Sequence, residues 1–165
     1  TFLNLQCRRL LYFSFVHSHL SYANIAWGST HSTKLLKLAS QQKRVCKIIT
    51  FKNRRDSAVP VMSTLEILDI FKLNTYQILI LMYKFAQKQL PSNFDNFFID
   101  IKSTRYNLRT NSQNKYKLPK NTCKYVEHSV AYRGPKLWNN IFKELKTASN
   151  LRIFKGLLKI HLINT

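Results

Sequence analysis

Carboxylates are scarce in this chain: seven Asp and Glu stand against 27 Lys and Arg, for a formal net charge of +20 over 165 residues. The seven are Asp56, Glu66, Asp69, Asp95, Asp100, Glu127 and Glu144, and no two are adjacent. Nucleotidyl transfer by two metal ions needs several carboxylates converging on one point. No Asp-Asp pair follows an aromatic here, so the sequence holds no such centre. Glu66 and Asp69, three residues apart, suit a helix N-terminus better than a metal. Glycine is almost as rare, at three residues. That excludes the Gly-rich phosphate loops and the G-x-S-x-G elbow, all of which depend on close backbone approach. Ser, His and Asp are present, but no spacing orders them into a triad. The residues point away from catalysis.

Three cysteines, Cys7, Cys46 and Cys123, lie far apart. An odd number at such spacing gives neither a disulfide framework nor a zinc ligand set, and reads as buried or free thiols in a reducing compartment. His17 and His19 form a His-x-His with no third ligand nearby. The longest apolar run is Ile78 to Met82, far short of the roughly 20 residues that span a bilayer. No leader or cleavage signal opens the chain, and Thr1 reads as a cut within a longer frame or the start of a processed fragment. The expectation is a soluble, intracellular chain of nucleus or cytoplasm, not secreted.

What is abundant is positive charge on a sequence that can fold. Hydrophobic residues make up 45% and aromatics 13%, enough for a core. Residues 1–60 carry ten basic residues and one acid; residues 61–100 carry three and four; residues 101–165 carry fourteen and two. A near-neutral centre therefore lies between two cationic flanks. Apolar residues at Leu3, Cys7, Leu10, Leu11 and Phe15 predict a first helix from Phe2 to about Leu20, with that stripe inward. In Lys34–Ile49, Leu35, Leu38, Ala39, Val45, Cys46 and Ile49 fall within an arc of about 120°. Lys34, Lys37, Lys43, Arg44 and Lys47 take the remaining face, joined by Leu36 and Ile48. Lys52 to Pro60 reads as a basic loop containing Arg54 and Arg55. Ser63-Thr64-Leu65-Glu66 has capping-box spacing, predicting a short helix to about Ile70. A longer helix follows from Asn74 to Gln89, stopped by Pro91. Periodicity is then lost until Gly134-Pro135, where Pro135 suits the first turn of another helix, with Leu137, Trp138, Ile141, Phe142 and Leu145 inward. Ser149 or Asn150 caps the last helix, which carries the stripe Leu151, Phe154, Leu157, Leu158 and Leu162. The fold class is mainly α: a bundle-like helical region over 1–91, an irregular basic and aromatic stretch over 92–133, and a C-terminal helical pair over 134–165.

Several local patterns appear in a fixed order. They are Leu11-Tyr12-Phe13-Ser14-Phe15-Val16-His17-Ser18-His19-Leu20-Ser21-Tyr22 closing on Trp27-Gly28, then Gln42-Lys43-Arg44-Val45-Cys46-Lys47-Ile48-Ile49-Thr50, then Leu65-Glu66-Ile67-Leu68-Asp69-Ile70 and Gln77 to Tyr83-Lys84. Thr104-Arg105-Tyr106, Ser129, Gly134-Pro135-Lys136-Leu137-Trp138-Asn139, Phe154-Lys155 and Leu158-Lys159 follow. Together they resemble the far C-terminal part of reverse transcriptases from non-long-terminal-repeat retrotransposons (LINE elements), the jockey-like and X-element-like group. The resemblance spans nearly the whole chain. It departs after Trp138-Asn139, where such sequences commonly continue with Leu-Pro and this one has Ile141-Phe142. The resemblance implies a thumb-like helical region and C-terminal extension that grip template RNA and growing DNA. The paired aspartates and their Mg2+ would belong to an upstream palm, so RNA-directed DNA polymerase activity and any cofactor lie with the parent and not with this chain. The implied partners are RNA or DNA and the upstream palm and fingers, with no membrane.

The candidate nucleic-acid contacts are Lys34, Lys37, Lys43, Arg44, Lys47, Arg54, Arg55, Arg105, Tyr106 and Arg109. No acid occurs before Asp56, whereas a merely solvated helix face usually carries both signs. In Lys102–Lys136, Arg105, Arg109, Lys115, Lys117, Lys120, Lys124 and Arg133 alternate with Tyr106, Tyr116, Tyr125 and Tyr132. Such rings either stack unpaired bases or anchor a long loop to the core. Trp27 and Trp138 read as packing anchors. Two other readings stand beside nucleic-acid binding: a decayed transposon remnant without selected function, and a recruited module for acidic protein or membrane surfaces.

Overall fold

With so little glycine, most helices must end on residues that have a side chain, Gly28 after Trp27 being an exception among the described residues. In the computed structural model, which describes residues 3–101, 115–120 and 123–164, left-handed backbone occurs at Ala23, Phe51, Glu66 and Lys88, with φ of 47°, 54°, 54° and 53°. Three of these close a helix by the same device, in which the amide three residues past the helix's last residue bonds back over its last turn. Lys52 N donates to Lys47 O at 3.0 Å, Ile67 N to Met62 O at 2.8 Å, and Gln89 N to Lys84 O at 2.8 Å.

The fold is mainly helical. Helix α1 (Leu5–Leu11), capped by the Asn4 side chain, runs directly through a π-helical segment (Tyr12–His17) into α2 (Ser18–Ser21). The chain breaks at Ala23, turns once through α3 (Asn24–Trp27), and enters α4 (Ser32–Ile49). Then come α5 (Val59–Thr64), with Pro60 in its first turn, and α6 (Ile70–Ala86). After a 3-10 turn (Ser92–Phe94), the helices are α7 (Lys124–His128), α8 (Val130–Asn140), α9 (Lys143–Lys146) and α10 (Leu151–Asn164). The chain forms two compact units, Thr1–Asn74 with His161–Thr165, and Thr75–Ile160.

In the first unit the buried stripe of α4 is Leu35, Ala39, Gln42 and Cys46, one residue per turn down a single line. Tyr12, Cys46, Val61, Met62, Leu65 and Ile67 form one core cluster, with Phe13, Val16, Val45 and Ile49 against it. Leu35, Ala39 and Ile70 form another beside Leu20 and Trp27. A buried polar knot ties α3 to the start of α6: Asn74 Nδ2 donates to Asn24 O at 3.0 Å, and Ser29 Oγ to Asn74 Oδ1 at 3.3 Å. A Cβ on Gly28 would lie 2.6 Å from Asn24 O, so only glycine fits the knot.

The second unit is held by aromatic packing. Tyr83 stacks on Phe154 at 4.4 Å and 21° while its hydroxyl donates to Ala148 O at 2.9 Å. Trp138 tilts against Phe154 at 6.2 Å, and Phe98 meets Phe85 edge-on at 4.9 Å. An isolated antiparallel bridge joins Asp100 and Tyr116. The Tyr116 backbone is clamped by Asn139, which accepts from its N–H at 3.0 Å and donates to its O at 2.8 Å.

Four local expectations change. The stripe Leu3, Cys7, Leu10, Leu11 and Phe15 faces outward, with Leu10 at 64% and Phe15 at 69% exposure. Ser63 does not open a helix. It lies in the last turn of α5, Glu66 ends that helix in left-handed backbone, and Asp69 caps α6 by accepting from Lys72 N at 2.8 Å. Helix α8 begins at Val130, where the Ser129 side chain accepts from Tyr132 N, so Pro135 is an interior residue. Phe142 and Leu157, expected inward, are exposed. The last helix does start at an asparagine cap, with Asn150 Oδ1 accepting from Ile153 N at 2.9 Å.

Candidate functional site

Helix α4 carries Lys43, Arg44 and Lys47 outside its buried stripe, and the loop after it supplies two more cations. Lys47 Nζ donates to the Arg54 carbonyl at 2.9 Å, pinning that loop back onto the helix. Asp56 closes the loop by accepting from Asn53 N at 2.9 Å. The result is an open groove of about 650 Å³ whose cations are Lys43, Arg44, Lys47, Lys52 and Arg54. Leu36, Ala39, Ile48 and Phe71 line it too, with Ser40 and Gln41 as neutral polar groups. Among the described residues, no carboxylate lines it. Cations gathered without a counter-charge repel one another, and a bound polyanion removes that cost.

Of the residues marked from sequence, the groove brings together Lys43, Arg44, Lys47 and Arg54. Lys34 and Lys37 are exposed on α4 toward its N-terminal end and do not line the groove; Arg55 is exposed beside it. Arg105, Tyr106 and Arg109 lie outside the described residues. Sequence reasoning passed over Lys52, Leu36, Ile48 and Phe71 as groove residues. The signal for two of them was present in the helical period, which sets Leu36 and Ile48 among the lysines instead of on the apolar arc.

Two other arginines are structural. Arg8 donates to the Ile49 carbonyl at the C-terminal end of α4 and lies 4.5 Å over the Phe51 ring. Arg9 donates to the Leu65 carbonyl past the end of α5 at 2.8 Å and pairs with Glu66 at 3.1 Å. Each satisfies a helix-terminal carbonyl and its partial negative charge.

In the second unit, Lys146 lies 5.8 Å over the Trp138 ring. Burial first, then the neighbouring charges of Lys115 and Lys143, hold its ammonium below the ordinary lysine range. A wider cavity of about 780 Å³ in this unit is lined by Lys88, Asp95 and Asp100 with Phe85, Phe98 and Tyr116. Its two carboxylates disfavour phosphate, which leaves the α4 groove as the better anion site. Tyr116 is buried, whereas Tyr125 is 80% exposed. Trp138 is fully packed, and Trp27 is half-buried with its indole N–H donating to Tyr22 O at 2.7 Å. Among the described residues, no group of three His, Cys, Asp or Glu side chains gathers to hold a metal ion. No helix among them is long and apolar enough to cross a membrane. No protein-family model matches this chain, and no curated protein or solved structure is significantly similar to it.

Proposed function

We propose that the chain is a non-catalytic nucleic-acid-binding segment, derived from the C-terminal end of a retrotransposon reverse transcriptase, that holds RNA or DNA in the α4 groove. The observation that carries this reading is the groove itself, in which five cations converge with no carboxylate among the described lining residues. The net charge of +20 supports it, because a polyanion relieves the self-repulsion of such a chain. The ordered sequence resemblance supplies the polymerase context, in which the palm and its Mg2+ would come from upstream.

Binding through phosphates releases counterions, so the logarithm of affinity falls linearly with the logarithm of salt concentration. Fluorescence anisotropy with a labelled oligonucleotide across a chloride series measures that slope. The double variant Lys43→Gln/Arg44→Gln is expected to reduce the slope by roughly one to two and to weaken binding to all sequences alike. Affinity indifferent to salt, or nucleotide incorporation by the purified chain unaided, would sink the proposal.

A further inference from the structure

The groove is lined by two kinds of side chain, and phosphate contact accounts for only one of them. Leu36 is 56%, Ile48 61% and Phe71 37% exposed, yet all three line the same space as Lys43, Arg44 and Lys47. Exposed apolar side chains gathered in one groove beside cations mark a contact surface in a way that scattered ones do not. A duplex offers its phosphates outward and keeps its base faces stacked inside, so it would engage the cations and leave the apolar side chains wet. An unpaired strand exposes anionic backbone and flat base faces together. We propose that the groove binds single-stranded nucleic acid, its phosphates held by Lys43, Arg44 and Lys47 and an unstacked base laid against Leu36, Ile48 and Phe71. This rests on the nucleic-acid reading above and narrows its ligand.

Two further observations favour this occupant. The absence of a carboxylate among the described lining residues selects an anion. A volume of about 650 Å³ lies within the roughly 300–1,000 Å³ of sites that enclose a small ring-bearing group. An acidic peptide meets the charge requirement but brings no obligatory flat ring to each anion. A lipid surface presents its headgroups in a plane, and its acyl chains are not interleaved with its phosphates.

The test uses the full chain and three labelled probes with equal numbers of phosphates: an oligothymidylate of roughly ten nucleotides, an abasic strand, and a blunt hairpin duplex. Oligothymidylate is expected to bind more tightly than the abasic strand by roughly 5- to 150-fold, the contribution of about one stacked base. The double variant Leu36→Ser/Ile48→Ser changes two exposed positions, so helicity measured by circular dichroism should be retained. It should reduce the preference for oligothymidylate over the abasic strand several-fold, the part that remains being the contribution of Phe71. Lys43→Gln/Arg44→Gln should weaken all three probes. Equal binding of oligothymidylate and abasic strand, both weakened by the charge variant, overturns the single-strand inference and leaves nucleic-acid binding standing. A charge variant without effect on any probe overturns both. Displacement of oligothymidylate by anionic phospholipid vesicles, or by oligoglutamate at matched charge, overturns the inference in favour of those surfaces.

Discussion

At the scale of single residues, the Cys46 environment makes the clearest chemical statement. Its side chain is fully buried, and that burial pushes its thiol from 9.0 up to about 11. Tyr12, packed in the same cluster, is pushed by burial up to about 12, against the lowering effect of the Gln42 hydrogen bond. Above pH 9 the unfolded chain releases the Cys46 proton while the folded chain keeps it. The stability from this group is therefore complete below pH 9 and lost as pH rises toward about 11. Melting temperatures at about pH 8 and about pH 10 should differ more for the native chain than for Cys46→Ala. Ellman's reagent should reach the exposed Cys7 and Cys123 in the folded chain and Cys46 only after denaturation. Identical pH slopes in the two proteins, or three reactive thiols in the fold, would refute this packing. Gln42 beside them is instructive for a different reason. It lies in register with Leu35, Ala39 and Cys46, is 2% exposed, and donates to Tyr12 Oη at 2.8 Å and to Leu68 O at 2.9 Å. A pattern built on apolar residues alone passes over it, because what qualifies Gln42 for the core is a pair of acceptors distant in the chain.

At the scale of elements, the first helix shows where periodicity informs and where it misleads. The spacing of Leu3, Cys7, Leu10, Leu11 and Phe15 correctly predicts a helix but assigns its buried face to the wrong side. Two features invisible to a 3.6-residue period turn it round. Arg8 and Arg9 lie toward the core because their guanidinium groups bond the carbonyls of Ile49 and Leu65. Tyr12, one turn on from Arg8, shares that inward side and accepts from the buried Gln42 at 2.8 Å, which leaves Leu11 and Phe15 out. The double variant Leu10→Ser/Phe15→Ser separates the two assignments. With both side chains in water, its free energy of unfolding in urea should change by no more than about 0.5 kcal/mol. A loss of about 2–5 kcal/mol would restore the inward face. Where apolar periodicity coincides with packing, as along α10 at Phe154 and Leu158, the helix and its buried side were both legible. The start of α8 was misplaced because Pro135 mimics a first-turn proline, whereas the Ser129 side chain sets the true end. In the groove, the cations of α4 could be found from sequence. The loop that brings Arg54 beside them could not, since it depends on one hydrogen bond from Lys47 to a backbone carbonyl.

At the scale of the whole molecule, the charge of +20 gives salt two opposing effects. Compacting so many cations costs free energy through mutual repulsion, and mobile ions screen it. The melting temperature of the free chain should therefore rise by a few degrees, on the order of 2–8 °C, between about 0.02 M and 0.3 M sodium chloride. Chloride is the appropriate salt because sulfate would stabilise any fold by exclusion from its surface. A bound oligonucleotide acts in the other direction. It stabilises by mass action in proportion to its affinity, and that affinity falls steeply with the same salt. The difference in melting temperature between bound and free protein should thus be largest at low salt and shrink toward zero, while the free protein's own value climbs. If surface ion pairs such as Arg9–Glu66 dominated the electrostatics, salt would lower the melting temperature of the free chain instead. Opposite slopes in one pair of scans can arise only if the excess cations are both a burden to the fold and the contact with the strand.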